Sequence, residues 1–198
     1  MGRPIEPEDA AAFWETRYAR GLLYGTEPTS VARQLVPVFH REKVSTLLEA
    51  GCASGRDALH YAREGFVVTA LDLSRNALRR ARRLAESAGL SLDFTAGDLL
   101  TANLPLAGFD AAVAVHLIHL QPEPYRRAMV NRLWSLTRDG GIIAMANYST
   151  EEAGFATWEP YPESTTRIDP KGKLVHFFDA EEMAAYLPTD SISCNAKW

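Results

Sequence analysis

The sequence predicts a doubly wound α/β fold, a Rossmann-like and mostly parallel sheet with helices on both faces. Strand-length apolar runs alternate five times with amphipathic helical stretches. Those runs are apolar on both faces, as in strands buried between two helix layers. Glycines and carboxylates gather just past the end of each run, where open parallel sheets bind their ligands.

Glu8 to Arg20 reads as a helix after Pro7, with Phe13, Trp14 and Tyr18 along it. A loop with Gly21, Tyr24 and Gly25 follows, then a second helix from Pro28 to about His40 that Pro37 is expected to cut short. Val44–Ala50 is the first strand and Ser54–Glu64 the next helix. Phe66–Leu71 is a second strand closed by Asp72; Ser74–Ala88 is a helix with Ala77, Leu78, Ala81, Leu84, Ala85 and Ala88 on one face, stopped by Gly89. Ser91–Ala96 and Phe109–Val115 give the third and fourth strands. Pro122 opens a helix to about Thr137, and Gly140-Gly141 turns the chain into a fifth strand, Ile142–Tyr148. Residues 149–175 lack periodicity and read as a long loop. Asp179–Glu182 matches a capping box before a helix to about Leu187, and 191–198 reads as a sixth strand, at an edge or poorly ordered, which leaves the C-terminal strand pair incomplete.

At 198 residues the chain forms one domain, 1–198. Residues 1–43 read as a helical cap, 44–148 as the binding core and 149–198 as the acceptor side. A chain of this size buries roughly 70% of its unfolded surface, so its core needs no staple. Net charge is −4, which disfavours a nucleic-acid binder. Two cysteines make no disulfide framework, and no His/Cys cluster has metal spacing, so no metal is expected. No apolar run approaches a membrane span. The polar N-terminus is no secretory signal, so a cytoplasmic protein is expected.

The loop after the first strand, Glu49-Ala50-Gly51-Cys52-Ala53-Ser54-Gly55, carries the first chemical signal. A dinucleotide fingerprint needs glycines at 53 and 56, where Ala53 and Arg56 stand. Glu49 would repel a pyrophosphate and attract an ammonium. Asp72 can accept both hydroxyls of a ribose; its plainer reading is a helix start beside Ser74. In Gly97-Asp98-Leu99 the carboxylate can accept an adenine amino group while the next N–H donates to the ring. Each alone fits an ordinary turn, but together they match an ammonium, a ribose and an adenine.

These segments, with Phe109-Asp110-Ala111-Ala112-Val113 and Gly140-Gly141, resemble the class I S-adenosylmethionine-dependent methyltransferases. Within them, Phe13-Trp14-Glu15-Thr16-Arg17-Tyr18 and Tyr24-Gly25-Thr26-Glu27-Pro28 look like the tellurite-resistance and thiopurine small-molecule branch. The resemblance implies a methyl transfer from S-adenosylmethionine to a small-molecule acceptor, leaving S-adenosylhomocysteine. It implies a cofactor site of Trp14, Tyr24, Glu49, Gly51, Cys52, Ala53, Gly55, Asp72, Leu73, Gly97, Asp98, Leu99, Val115 and His116, with the two aromatics closing over the cofactor. Ala53 departs from the family's usual middle glycine.

His116 and His119, just after the fourth strand, are candidate bases; plain packing roles are the alternative. A soft sulfur, selenium or tellurium nucleophile needs no base. Tyr148, Arg167 and His176 are candidates for the acceptor pocket, Arg167 suiting an anion. Arg75, Arg79, Arg80, Arg82 and Arg83 read as a solvated helix face rather than an RNA-binding one. Cys52 reads as a small buried loop residue. The expected protein is a monomer or weak homodimer with no membrane partner. A non-catalytic S-adenosylmethionine-binding module is the alternative function. A nicotinamide oxidoreductase is disfavoured by Glu49 and by the missing third glycine.

Overall fold

The computed structural model describes residues 9–21 and 23–187. Five strands, β1 (Thr46–Ala50), β2 (Val67–Asp72), β3 (Asp93–Ala96), β4 (Phe109–Val115) and β5 (Thr137–Ala146), form a sheet in the order β3-β2-β1-β4-β5. All four neighbouring pairs are parallel. The doubly wound fold is therefore as the sequence predicts. The reversal of strand order beside β1 opens the crevice where such sheets bind ligands.

Side chains alternate across the sheet with period two. Leu47, Ala111 and Val113 enter one core layer with Phe39, Tyr61 and Leu78. Leu48, Ala112 and Ala114 enter the other with Met129, Leu133 and Leu136. The first layer is covered by α2 (Ser30–Arg41), α3 (Arg56–Arg63) and α4 (Arg75–Ser87), the second by α5 (Tyr125–Leu136). An N-terminal helix, α1 (Ala10–Ala19), packs on α4.

Pro37 does not stop α2, which runs to Arg41. Proline removes one hydrogen bond to the preceding turn, but buried Val31, Ala32, Val36 and Phe39 hold the apolar stripe on the core. The helix after Pro122 starts later than expected: a 3-10 turn at Ile118–Leu120 and two prolines precede α5. The fifth strand starts earlier. Thr137 pairs with Phe109 and Ile142 with Ala111, so residues 138–141 bulge from the ladder. Gly141 is needed there, since a Cβ would lie 2.7 Å from the Asp110 carbonyl oxygen. Inside the bulge Arg138 Nε meets Asp110 Oδ1 at 2.6 Å, while Asp110 Oδ2 accepts the Ser45 and Thr46 N–H groups. Arg138 and these donors hold the Asp110 pKa well below the usual carboxylate range.

The 149–175 segment is not a plain loop. After α6 (Ala153–Thr157) it forms a small antiparallel sheet of β6 (Glu159–Pro160), β7 (Thr166–Ile168) and β8 (Leu174–His176). Strands this short leave no readable alternation. Asp179 caps α7 (Ala180–Ala184) by accepting the Glu182 N–H at 2.8 Å. The Glu182 carboxylate does not reach back to complete the box; it meets His176 Nε2 at 2.7 Å. The strand expected over 191–198 lies outside the described residues.

Gly55 marks where β1 turns into α3. Its φ is +80°, and a Cβ there would lie 2.7 Å from Leu59 Cδ1 and 2.8 Å from Ala81 Cβ. Gly55→Ala combines left-handed backbone cost with overpacking between α3 and α4, an expected loss of about 2–4 kcal/mol. Urea unfolding checks this, and a loss below about 1 kcal/mol would show that the helices move apart freely.

Candidate functional site

A cavity of about 350 Å³ opens at the carboxyl ends of β1, β2, β3 and β4. Parallel strands point their last residues there, so the sequence segments that follow each strand converge. Glu49, Gly51, Cys52 and Ala53 come from the first, Asp72 and Leu73 from the second, Gly97, Asp98 and Leu99 from the third, and Val115 and His116 from the fourth. Trp14 of α1 and Tyr24 line the same cavity. Tyr24 is 48% exposed, so it is no core aromatic. Gly55 does not line the cavity; its place is the helix contact described above.

Asp72 is buried, and both its oxygens already hold backbone: Oδ1 accepts the Ser74 N–H and Oδ2 the Ala53 N–H, each at 2.8 Å. Burial raises its pKa, and the two N–H donors pull against that rise. The bond to Ala53 ties the first loop to the second and holds Ala53 at φ +55°, the conformation a glycine usually takes. Ser74 caps α4 through the Ala77 N–H, and Glu15 reaches over from α1 to accept the Ser74 hydroxyl and the Asn76 N–H. Asp98 is exposed; its Oδ1 accepts the Leu100 N–H at 2.7 Å.

Glu49 is 4% exposed, and its Oε2 has no hydrogen-bond partner. Burial raises its pKa strongly, with Asp57 and Asp72 adding to the rise. Such an oxygen is costly unless a donor meets it. Asp57, which sequence reasoning missed, also lines the cavity, and its two oxygens hold the Thr29 N–H and hydroxyl at 2.7 and 2.8 Å. Nothing distinguishes Asp57 in sequence from a helix-start aspartate. Cys52 is buried, and burial pushes its thiol up.

His116, His119 and Tyr148 form an aromatic group on the far side. The His116 ring centroid lies 5.4 Å from that of His119 and 5.1 Å from that of Tyr148; His119 and Tyr148 are 4.8 Å apart. His116 is exposed at φ +54°, and His119 is buried with Nδ1 3.3 Å from Asn147 Oδ1. Desolvation lowers both imidazole pKa values, that of His119 most. Gln121, Tyr125, Met129 and Lys173 complete this side, none of them marked by a sequence motif.

Arg167 and His176 are not part of the cavity lining. The Arg167 guanidinium lies 4.1 Å from the Phe155 ring centroid and donates to the carbonyls of Phe155, Ser164 and Thr166. His176 is buried between Thr166 Oγ1 at 2.9 Å and Glu182 Oε1 at 2.7 Å. Both build the small sheet. Among the described residues there is no cluster of metal ligands and no helix long and apolar enough to cross a membrane. Of the α4 arginines, Arg80 and Arg82 donate to the chain's own Tyr18 and Phe94 carbonyls.

Residues 47–141 match the family model described as "Methyltransferase domain". An uncharacterized methyltransferase of Mycobacterium tuberculosis is 33% identical over 112 residues, 57% of this chain and 55% of that protein. The chain thus spans about half the length of the first of its curated relatives. The ubiquinone biosynthesis O-methyltransferase of Xanthomonas axonopodis is 28% identical over 90% of this chain and 74% of its own length. Among solved structures, a 1,6-didemethyltoxoflavin-N1-methyltransferase of Burkholderia thailandensis superposes with a TM-score of 0.69 at 20% identity, over 94% of this chain and 80% of that one. That structure holds S-adenosylhomocysteine and 1,6-didemethyltoxoflavin. The fold is the Rossmann-like methyltransferase fold, and the matching family model and curated relatives are those of methyltransferases. They do not single out the tellurite-resistance and thiopurine branch.

Proposed function

We propose that this chain transfers a methyl group from S-adenosylmethionine to a small-molecule acceptor. One observation carries the reading: Glu49, whose buried Oε2 has no hydrogen-bond partner, lines one cavity together with Asp72 and Asp98. S-adenosylmethionine supplies an electrophilic methyl on a sulfonium. Glu49 would take the ammonium, Asp72 the ribose through the second lone pairs of its oxygens, and Asp98 the adenine amino group through Oδ2. Trp14 and Tyr24 exclude water from the reacting end. Orienting two reactants in such a site is worth about 7–11 kcal/mol of barrier. Release of S-adenosylhomocysteine, measured against a panel of acceptors, tests the activity; binding without turnover for every acceptor would favour the non-catalytic module.

The histidines constrain the chemistry further. With both imidazole pKa values below the usual 6.5, both rings are neutral from neutral pH upward. If either is a base, kcat/KM is flat above about pH 7 and falls only as the solution becomes acidic. A flat alkaline limb therefore does not itself mark a soft acceptor. Full activity in His116→Ala and in His119→Asn, each across the acidic limb, would show that neither ring takes a proton.

A further inference from the structure

Deepening the proposed methyl transfer and resting on it, we infer that the acceptor is a planar aromatic anion, held by Lys173 against the rings of Tyr148 and His116. The β7–β8 hairpin places this lysine with care. Asp169 Oδ1 accepts the Lys171 and Lys173 N–H groups at 2.9 and 2.8 Å, and the Asp169 N–H donates to the Lys173 carbonyl at 2.9 Å. The other oxygen, Oδ2, meets Lys173 Nζ at 3.1 Å. Backbone and ammonium are thus both pinned by one buried aspartate. An ammonium has three donors, and Asp169 is its only ion-pair partner among the described residues.

Two lysine or arginine side chains line the cavity, Arg56 and Lys173. Arg56 is engaged, donating to the Tyr24 carbonyl at 2.9 Å beside the Tyr24 ring. Lys173 lines the same cavity. Asp57, Asp72 and Arg56 act on Glu49, and Arg56, Asp57 and Lys173 all act on His116. Lys173 is thus the cavity-lining cation, among the described residues, that no backbone carbonyl engages, and it shares the cavity with His116 and Tyr148. Tyr148 is itself backed by Phe177, centroids 5.8 Å apart at 20°, which fixes a flat wall. A flat ring packs on that wall, and an anionic substituent meets the remaining Lys173 donors.

The test uses the protein loaded with S-adenosylhomocysteine and two probes of one shape, salicylate and neutral salicylamide, in calorimetric titrations. Salicylate should bind about 10- to 150-fold tighter, the scale of one charged hydrogen bond. Lys173→Met should abolish the preference and Lys173→Arg should retain part of it. Asp169→Asn leaves an oxygen for the two hairpin N–H groups but removes the opposing charge, so salicylate should bind more tightly than to the wild type. S-adenosylhomocysteine titrated into each variant reports whether the cleft is intact. Equal affinity for the probes, binding of neither, or a preference that survives in an intact Lys173→Met would overturn the inference while leaving methyl transfer standing. Failure of the wild type to bind S-adenosylhomocysteine overturns both.

Discussion

Asp72→Ala is expected to weaken binding of S-adenosylmethionine by about 10- to 150-fold, the equivalent of about 1.5–3 kcal/mol for a charged acceptor. The side chain has two tasks. In the proposed complex it offers oxygens to a ribose, and it holds the Ala53 and Ser74 N–H groups at 2.8 Å. Removing it strands two donors and takes away one of the bonds that hold Ala53 in a left-handed backbone. Asp72→Asn keeps one accepting oxygen, enough for one of the two N–H groups, and puts an amide that cannot accept in place of the other, so it impairs both tasks. Calorimetry with S-adenosylmethionine reads the first task and thermal unfolding the second. Unchanged affinity in Asp72→Ala would remove this residue from the cofactor site. Binding of NAD or NADP at micromolar concentration would overturn the methyltransferase reading itself, since Glu49 faces where a pyrophosphate would lie.

Arg126→Met should cost about 2–3 kcal/mol of stability, less than the ~3–5 kcal/mol of a fully buried pair broken from one side, because Glu163 is 31% exposed. Arg126 is 1% exposed, on α5, and its guanidinium pairs with Glu163, donates to the Gln121 carbonyl at 2.8 Å and reaches the Tyr186 hydroxyl at 3.3 Å. Glu163 in turn accepts the Thr166 hydroxyl, and Tyr186 donates to Glu123. One arginine thereby joins the sheet-covering helix, the small antiparallel sheet and the segment after α7. The small sheet carries Lys173, so its anchorage is also the anchorage of the cleft wall. Methionine fills the volume of the arginine stem, so the loss reads the polar network rather than a void. Urea unfolding checks the magnitude. Glu163→Gln, which keeps a carbonyl for one guanidinium N–H, should cost less than Arg126→Met; the reverse order would show that Arg126 is held by packing alone.

The central sheet was legible in the sequence because its signals are local. Leu47-Leu48, Ala70-Leu71 and Ala111-Ala112-Val113-Ala114 are apolar on both faces, and burial between two helix layers accommodates that. Ser74 and Asp179 both cap helices as their positions imply. The strand-end residues Glu49, Asp72 and Asp98 were legible for a similar reason: a parallel sheet delivers the ends of consecutive strands to one edge, so position in sequence implies proximity in space.

What only the tertiary structure decided is whatever depends on partners far along the chain. Arg167 and His176 carry the right chemistry for an acceptor site, yet neither lines the cavity: Arg167 donates to the Phe155, Ser164 and Thr166 carbonyls, and both ring nitrogens of His176 are engaged by Thr166 and Glu182. Asp57 and Lys173 have no motif and nonetheless face the cavity. The small sheet hid because strands of two or three residues carry no period. Pro37 stayed in its helix because long-range burial of Val36 and Phe39 outweighs one missing hydrogen bond. Local sequence determines which segments are strands, helices and caps, since those preferences reside within a few residues. Whether a polar side chain is free to act depends on its partners, and those come from packing of elements distant in sequence.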